Sequence, residues 1–317
     1  MVNSKNLFIS NSSGVQVFLK HISRFLIFIC TVFLFIVIGN YWLIKSTPIN
    51  FSAKKNILVL GDSTPGCAIN DDIFTRSINF SSPAASYYYS YLKLNKIVET
   101  NEYIDTVLLS FSPNNIFDNN WFASQNYIKH NFCRYYPIMS RSDFRFLLDS
   151  QPKSIVYALK PIFLQFLKNI FRSVTGDNVL QLGGFTGLEL DRLMDALHSL
   201  ESAEEIKNYR LPKDFQTTSI EIIYLNKIAQ LCSEKQVRLI LINLPKRVEL
   251  LSHTRYGVVE FEKVYNTDFS QFEYFDFSNL SMEDEMYADL LHLNKKGSSY
   301  FSNFLENSSW ESFRYVQ

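Results

Sequence analysis

Residues 56–63 read NILVLGDS, a short apolar run that ends abruptly in glycine, aspartate and serine. A strand with one wet face alternates apolar and polar side chains. An unbroken apolar run of this length instead suits a strand covered on both faces, as in a parallel sheet flanked by helices. The same reading applies to residues 106–111 (TVLLSF) and 237–243 (VRLILIN), with weaker candidates at 77–80 and 274–277. Residues 87–98 and 219–233 read as helices, and the second leads directly into the run at 237. This alternation predicts an α/β domain, a three-layer doubly wound parallel sheet.

Residues 117–213 fit the alternation poorly. They are aromatic, contain Gly183, Gly184 and Gly187, and are expected to form an inserted helical or irregular region that shapes a binding surface. Trp121, Phe122, Tyr135 and Tyr136 are its candidates for covering a site and stacking on sugars. Within it, residues 161–171 (PIFLQFLKNIF), with Lys160, Lys168 and Arg172 nearby, read as a helix packed in the core or lying on a membrane or partner.

Upstream, residues 25–44 read FLIFICTVFLFIVIGNYWLI, an uncharged run of the length a bilayer-crossing helix needs. Tyr41 and Trp42 lie at its end, where amphipathic rings favour the headgroup level. Lys5, Lys20 and Arg24 precede it with no acid among them and Lys45, Lys54 and Lys55 follow it, a balance that leans towards a cytoplasmic N-terminus. The following YWLIKSTPIN lacks the small residues of a signal-peptide cleavage site. The expected organisation is a cytoplasmic tail (1–24), a single transmembrane anchor (25–44), a stalk (45–55) and an extracytoplasmic domain (56–317).

Composition narrows the function classes. Hydrophobic residues are 47% and charged residues 20%, enough apolar material for a packed core. Net charge is zero and no basic face recurs, so a nucleic-acid partner is not expected. Four cysteines, with Cys30 inside the apolar run, give Cys67, Cys133 and Cys232 no C-x-x-C spacing and no disulfide framework. The five histidines show no paired ligand spacing, so neither a metal nor another cofactor is expected.

In open parallel sheets, ligands bind beyond the carboxyl ends of the strands, and Gly61-Asp62-Ser63 stands at such an end. A glycine there permits a sharp turn, and Ser63 can point its hydroxyl into the crevice while its own N–H faces an oxyanion. Near the other end of the chain stands Asp289-Leu290-Leu291-His292. Asp and His three apart can set a carboxylate beside an imidazole, fixing its tautomer and leaving the second nitrogen for a nucleophile. The blander reading is a helix-capping Ser63, a surface Asp289 and a capping His292. The two blocks together support a triad of Ser63, Asp289 and His292.

These blocks resemble those of the SGNH (GDSL-type) hydrolases. Gly61-Asp62-Ser63 is similar to the family's first block and Asp289-Leu290-Leu291-His292 to its last. Ser112-Pro113-Asn114-Asn115, directly after the strand at 106–111, is similar to the third, and residues 79–84 (NFSSPA) take the place of the second. The resemblance implies a flavodoxin-like sheet and an oxyanion hole made by the Ser63 N–H, the Ala84 N–H and the Asn114 side chain. An N-terminal anchor before such a domain is also similar to proteins that acylate bacterial envelope polymers, such as alginate and teichoic acid. That narrower likeness implies O-acyl transfer to an envelope polysaccharide or related glycopolymer, beside a membrane-bound O-acyltransferase. A carbohydrate esterase with the same triad, and an inert membrane-tethered glycan-binding protein, are the alternatives.

Overall fold

The computed structural model describes residues 12–47, 49, 51–117, 131–151, 154–176, 180–189, 219–247, 250 and 255–307. Trp121, Phe122 and residues 190–213 of the insertion lie outside them. Five strands, β1 (Ile57–Leu60), β2 (Ser77–Asn79), β3 (Thr106–Ser110), β4 (Arg238–Asn243) and β5 (Glu273–Asp276), form one sheet in the order β2-β1-β3-β4-β5. Every neighbouring pair is parallel. The helices that matter for the site are α1 (Ser12–Ser46), α2 (Ser63–Ala68), α3 (Tyr87–Val98) and α4 (Pro113–Ile116). Further along the chain come α5 (Ser154–Thr175), α6 (Ser219–Glu234) and α7 (Lys295–Asn307).

The period of two along each strand divides the core. Leu58, Leu60, Val107, Leu109, Leu239 and Leu241 point to one side, where they pack with Tyr88 and Leu92 of α3 and Leu225 and Ile228 of α6. Ile57, Val59, Leu108, Ile240 and Ile242 point to the other, against Ala68 of α2 and Phe301 and Leu305 of α7. Both faces are dry, which is why these strands are apolar without alternation. The sheet is therefore α/β and doubly wound. From β1 the chain crosses to β2 on one side, then returns to β3 on the other. The strand order reverses there, leaving a crevice at the carboxyl ends of β1 and β3.

The N-terminal helix is long and apolar enough to cross a membrane, with a mean hydropathy of 2.5 in its most apolar window. Its C-terminal part does not stand alone. Ile36, Asn40 and Ile44, four residues apart, form a stripe buried against the domain. Asn40 is the polar member: Asn169 Nδ2 of α5 donates to its Oδ1 at 2.6 Å, and its Nδ2 donates to the Tyr136 hydroxyl at 3.0 Å. The segment expected as a stalk is likewise fastened to the domain. Asn101 donates to the Ile49 carbonyl at 2.6 Å and accepts from the Phe51 N–H at 3.1 Å.

Helix α5 splits by face. Ile162 and Asn169 are buried, and the Phe166 ring lies against Gly39 of α1. Phe163, Leu164, Leu167, Phe171 and Val174 are exposed on the opposite side. Two aromatic residues expected to stack on sugars are used for packing instead. Tyr135 is in the core beside Tyr89, and Tyr136 stacks on Phe132 beneath α1.

Candidate active site

Gly61 makes the turn out of β1 with φ +148°, and a Cβ there would come within 2.5 Å of Ser110 Cβ and 2.8 Å of Pro65. Only glycine fits both the backbone and the space. Asp62 then caps α2, accepting from the Thr64 N–H at 3.0 Å and the Thr64 hydroxyl at 2.6 Å. Its second oxygen accepts from Asn115 Nδ2 at 2.9 Å. Asn115 Oδ1 in turn accepts from the Ser112 hydroxyl at 2.8 Å and the Ser110 hydroxyl at 3.2 Å. This network is buried and occupies the Asp62 carboxylate from both sides.

With Asp62 turned inward, Ser63 opens α2 half-buried in the crevice. Its Oγ lies 2.7 Å from His292 Nε2, and His292 Nδ1 lies 2.7 Å from Asp289 Oδ2. The other Asp289 oxygen accepts from the N–H groups of Leu291 and His292 at 2.7 and 2.8 Å. That local turn explains the spacing of three: the carboxylate folds back on its own backbone and meets the imidazole. The turn is fixed at its base by Asn294, which donates to the Glu285 and Tyr287 carbonyls and accepts from the Gly297 N–H.

Burial opposes the charge on Asp289, but the hydrogen bond and charge of His292 and the two N–H donors outweigh it and hold the carboxyl below its ordinary range. Burial likewise opposes the imidazolium, yet the hydrogen bond and charge of Asp289 prevail, and the His292 pKa is raised. With Nδ1–H committed to Asp289, a neutral ring leaves Nε2 to accept the Ser63 proton. Cys67, one turn after Ser63, is no competing nucleophile: burial, then the nearby Asp289 and Asp62 charges, push its thiol up to about 12.

The other two residues expected at an oxyanion hole, Ala84 and Asn114, lie on a loop and on helix α4. Ala84 stands at φ +47°, a left-handed conformation uncommon for a residue with a Cβ. Its loop is tied to the β1 turn by the Ser82 N–H, which donates to the Gly61 carbonyl at 3.1 Å. Asn114 is half-buried on the short helix α4, while its neighbour Asn115 is the one turned inward to Asp62. Sequence reasoning passed over Asn115; the Asn-Asn pair just past a strand end was the available signal.

The insertion returns to this region as a strap, residues 180–189. The Gly184 N–H donates to the Ser81 carbonyl at 3.0 Å and the Thr186 N–H to the Gly66 carbonyl at 2.7 Å. The strap ends where the Lys295 N–H donates to the Leu188 carbonyl at 2.8 Å, beside an ion pair between Lys295 and Glu189. It therefore runs from the Ala84 loop, past α2, to the start of α7. Together these groups can perform acyl chemistry: a hydroxyl nucleophile, a base on it and a carboxylate orienting the base.

No protein-family model matches the chain, and no curated protein matches it. Among solved structures, a proposed acylhydrolase from Bacteroides fragilis NCTC 9343 is similar over 85% of this chain and 93% of its own, at 9% identity and a TM-score of 0.35.

Proposed function

We propose that this chain is a membrane-anchored, SGNH-type serine acyl enzyme that transfers an acyl group to an envelope polysaccharide or related glycopolymer. The observation that carries the reading is the line Ser63–His292–Asp289, with both hydrogen bonds at 2.7 Å, placed beyond the end of β1. In this scheme Ser63 Oγ attacks the carbonyl carbon of a donor ester while His292 Nε2 takes the hydroxyl proton. The tetrahedral intermediate collapses to acyl-Ser63, and His292 returns the proton to the departing alcohol. An acceptor hydroxyl then attacks acyl-Ser63, giving its proton to His292, and Ser63 leaves as the restored alcohol. The Ser63 and Ala84 N–H groups and the Asn114 side chain hold the negative oxygen in both steps. A membrane-bound O-acyltransferase would supply the acyl group.

The test is product partition. The purified protein, given a small activated ester and a panel of envelope glycans, should yield acylated glycan detectable by mass spectrometry. Rapid release of free acid that no glycan diverts would make it an esterase. No ester turnover at all would leave the inert, glycan-binding reading.

The anchor reading places α5 as well. If residues 25–44 cross the bilayer, α5 meets α1 at Gly39 and Asn40 within the outer leaflet, and its exposed apolar face is turned to lipid. A fluorophore attached at Leu164 or Phe171 should then be quenched by spin-labelled lipid in nanodiscs. Quenching only by a water-soluble agent would place this face in solvent.

A further inference from the structure

A cavity of about 610 Å³ lies between the 80–83 loop, the end of α5 and the strap, a size typical of small-ligand sites. Its charged wall is one-sided. Arg134 and Arg172 line it, and among the described residues no aspartate or glutamate does. Two lining residues also carry polar atoms without partners. Among the described residues, Arg172 Nη1 and Ser81 Oγ are shut off from water with no hydrogen bond. A buried guanidinium nitrogen left unbonded is costly, and among the described residues this donor lacks an acceptor.

A buried lysine stands behind the wall. The buried Lys93 Nζ donates to the Phe80 carbonyl and the Ser82 hydroxyl, each at 2.7 Å, which stiffens the loop. Burial and the nearby Arg134 charge lower its pKa to about 7, so the two arginines carry the charge of the wall. The cavity borders the candidate active site through the backbone. Ser82 is bonded to Gly61, Pro83 precedes Ala84, and Thr186 of the strap is bonded to Gly66 of α2.

We propose that this cavity is a subsite for an anionic group, a carboxylate or phosphate on the glycopolymer, held by the guanidinium groups of Arg134 and Arg172. Planar guanidinium forks match the paired oxygens of either anion, and two of them around one cavity supply more donors than a neutral sugar can use. The choice of polymer as bearer rests on the acyl-transfer reading; the anion preference rests on the cavity alone. An anion held there would fix one sugar of the chain beside Ser63, so that the cavity selects charged acceptors over neutral ones.

The experiment is binding to the full-length protein in nanodiscs, measured by calorimetry at low salt. The probes are an oligoglucuronate, an oligo(glycerol phosphate) and a neutral malto-oligosaccharide of matched length. At least one anionic probe should bind roughly tenfold or more tighter than the neutral one. The preferred probe identifies the source of the anion, and raised salt should weaken it. Arg134→Gln and Arg172→Gln should each remove most of that preference, with folding checked by melting temperature. Two variants guard against either one failing to fold. Ser63→Ala should bind unchanged. Equal affinity for charged and neutral probes, or a preference that survives both arginine substitutions, overturns the subsite. Retained acyl transfer in Ser63→Ala would instead sink the catalytic reading and leave the subsite standing.

Discussion

Two hydrogen-bonded chains of side chains sit next to each other at the carboxyl end of the sheet, and they are built in opposite ways. Asp62, Asn115, Ser110 and Thr64 are all buried, and the Asp62 carboxylate is bonded on one oxygen by Thr64 of α2 and on the other by Asn115 of α4, which Ser110 of β3 holds in turn. Ser63, His292 and Asp289 are only partly buried, the last two with side chains 20% and 39% exposed, and join residues far apart in sequence. The first chain locks two strand ends together. The second leaves a hydroxyl and an imidazole within reach of a ligand. Adjacent residues of one motif, Asp62 and Ser63, thus divide into a buried acid held by its neighbours and an alcohol hydrogen-bonded to an imidazole. The difference predicts that damage to one chain costs stability, while damage to the other costs turnover.

The largest separation should come from Ser63→Ala and His292→Ala. Each should lower ester turnover by about a thousandfold or more, with the melting temperature moved by no more than a few degrees. A folded Ser63→Ala protein with undiminished activity would break the comparison, since the exposed chain would then carry no chemistry.

Asp289→Asn should follow, with turnover reduced by about a hundredfold to ten-thousandfold because the amide presents the wrong partner to Nδ1. It also carries a pH signature. His292 must be neutral to accept a proton, and its folded pKa is raised by Asp289. Activity should therefore rise with pH through a midpoint above the ordinary histidine value. Removing the carboxylate charge takes away what raises that pKa, so the acid limb of the residual activity should shift to lower pH. An unshifted limb in the pH–rate profile would assign it to another group.

Asn114→Ala and Asn115→Ala set adjacent residues against each other. Loss of an oxyanion donor at Asn114 should cut turnover by about a hundredfold at near-native stability. Asn115→Ala strips one donor from the buried Asp62, which should cost about 2–3 kcal/mol and lower the melting temperature by several degrees. Denaturant titration beside kinetics separates the two. If Asn115→Ala were the one to lose turnover at full stability, the roles would be exchanged.

The reasons for what could be read in advance are specific. β1, β3 and β4 were visible because both faces of the sheet are dry, so they are continuous apolar runs, while the edge strands β2 and β5, with polar residues among them, gave weaker signals. Helix α3 spans the residues expected of it, and α6 differs by one residue. The Asp289–His292 contact was accessible because it closes within one turn. Which of Asn114 and Asn115 points inward was not. On a four-residue helix that depends on roughly 100° of rotation per residue, a phase set by Pro113 and by contacts across the sheet. Tyr135 and Tyr136 read as a sugar-stacking surface only because sequence cannot show Tyr89 and α1 covering them. Arg134 and Arg172 share a cavity but stand far apart in a stretch without periodicity, so nothing local joins them.

The smallest effect expected is also the most discriminating for the Ala84 loop. At φ +47° the Ala84 Cβ crowds its own backbone, at a cost of about 1–2 kcal/mol for an L-residue in the left-handed region. Glycine removes that crowding but gives up about 0.5–1 kcal/mol of unfolded-state entropy. Ala84→Gly should therefore stabilise the protein by up to about 1 kcal/mol, a gain measurable by denaturant titration. The functional arm is sharper. An amide in the oxyanion hole is a backbone group, present in alanine and glycine alike, so turnover should stay within about twofold if the loop keeps its position. Ala84→Pro removes the N–H altogether and cannot adopt a positive φ, so it should lose both turnover and stability. If Ala84→Gly instead lowers turnover by tenfold while raising stability, the alanine methyl group itself positions the acyl group. Ala84 would then belong with Ser63 and His292 as a residue whose side chain serves the reaction.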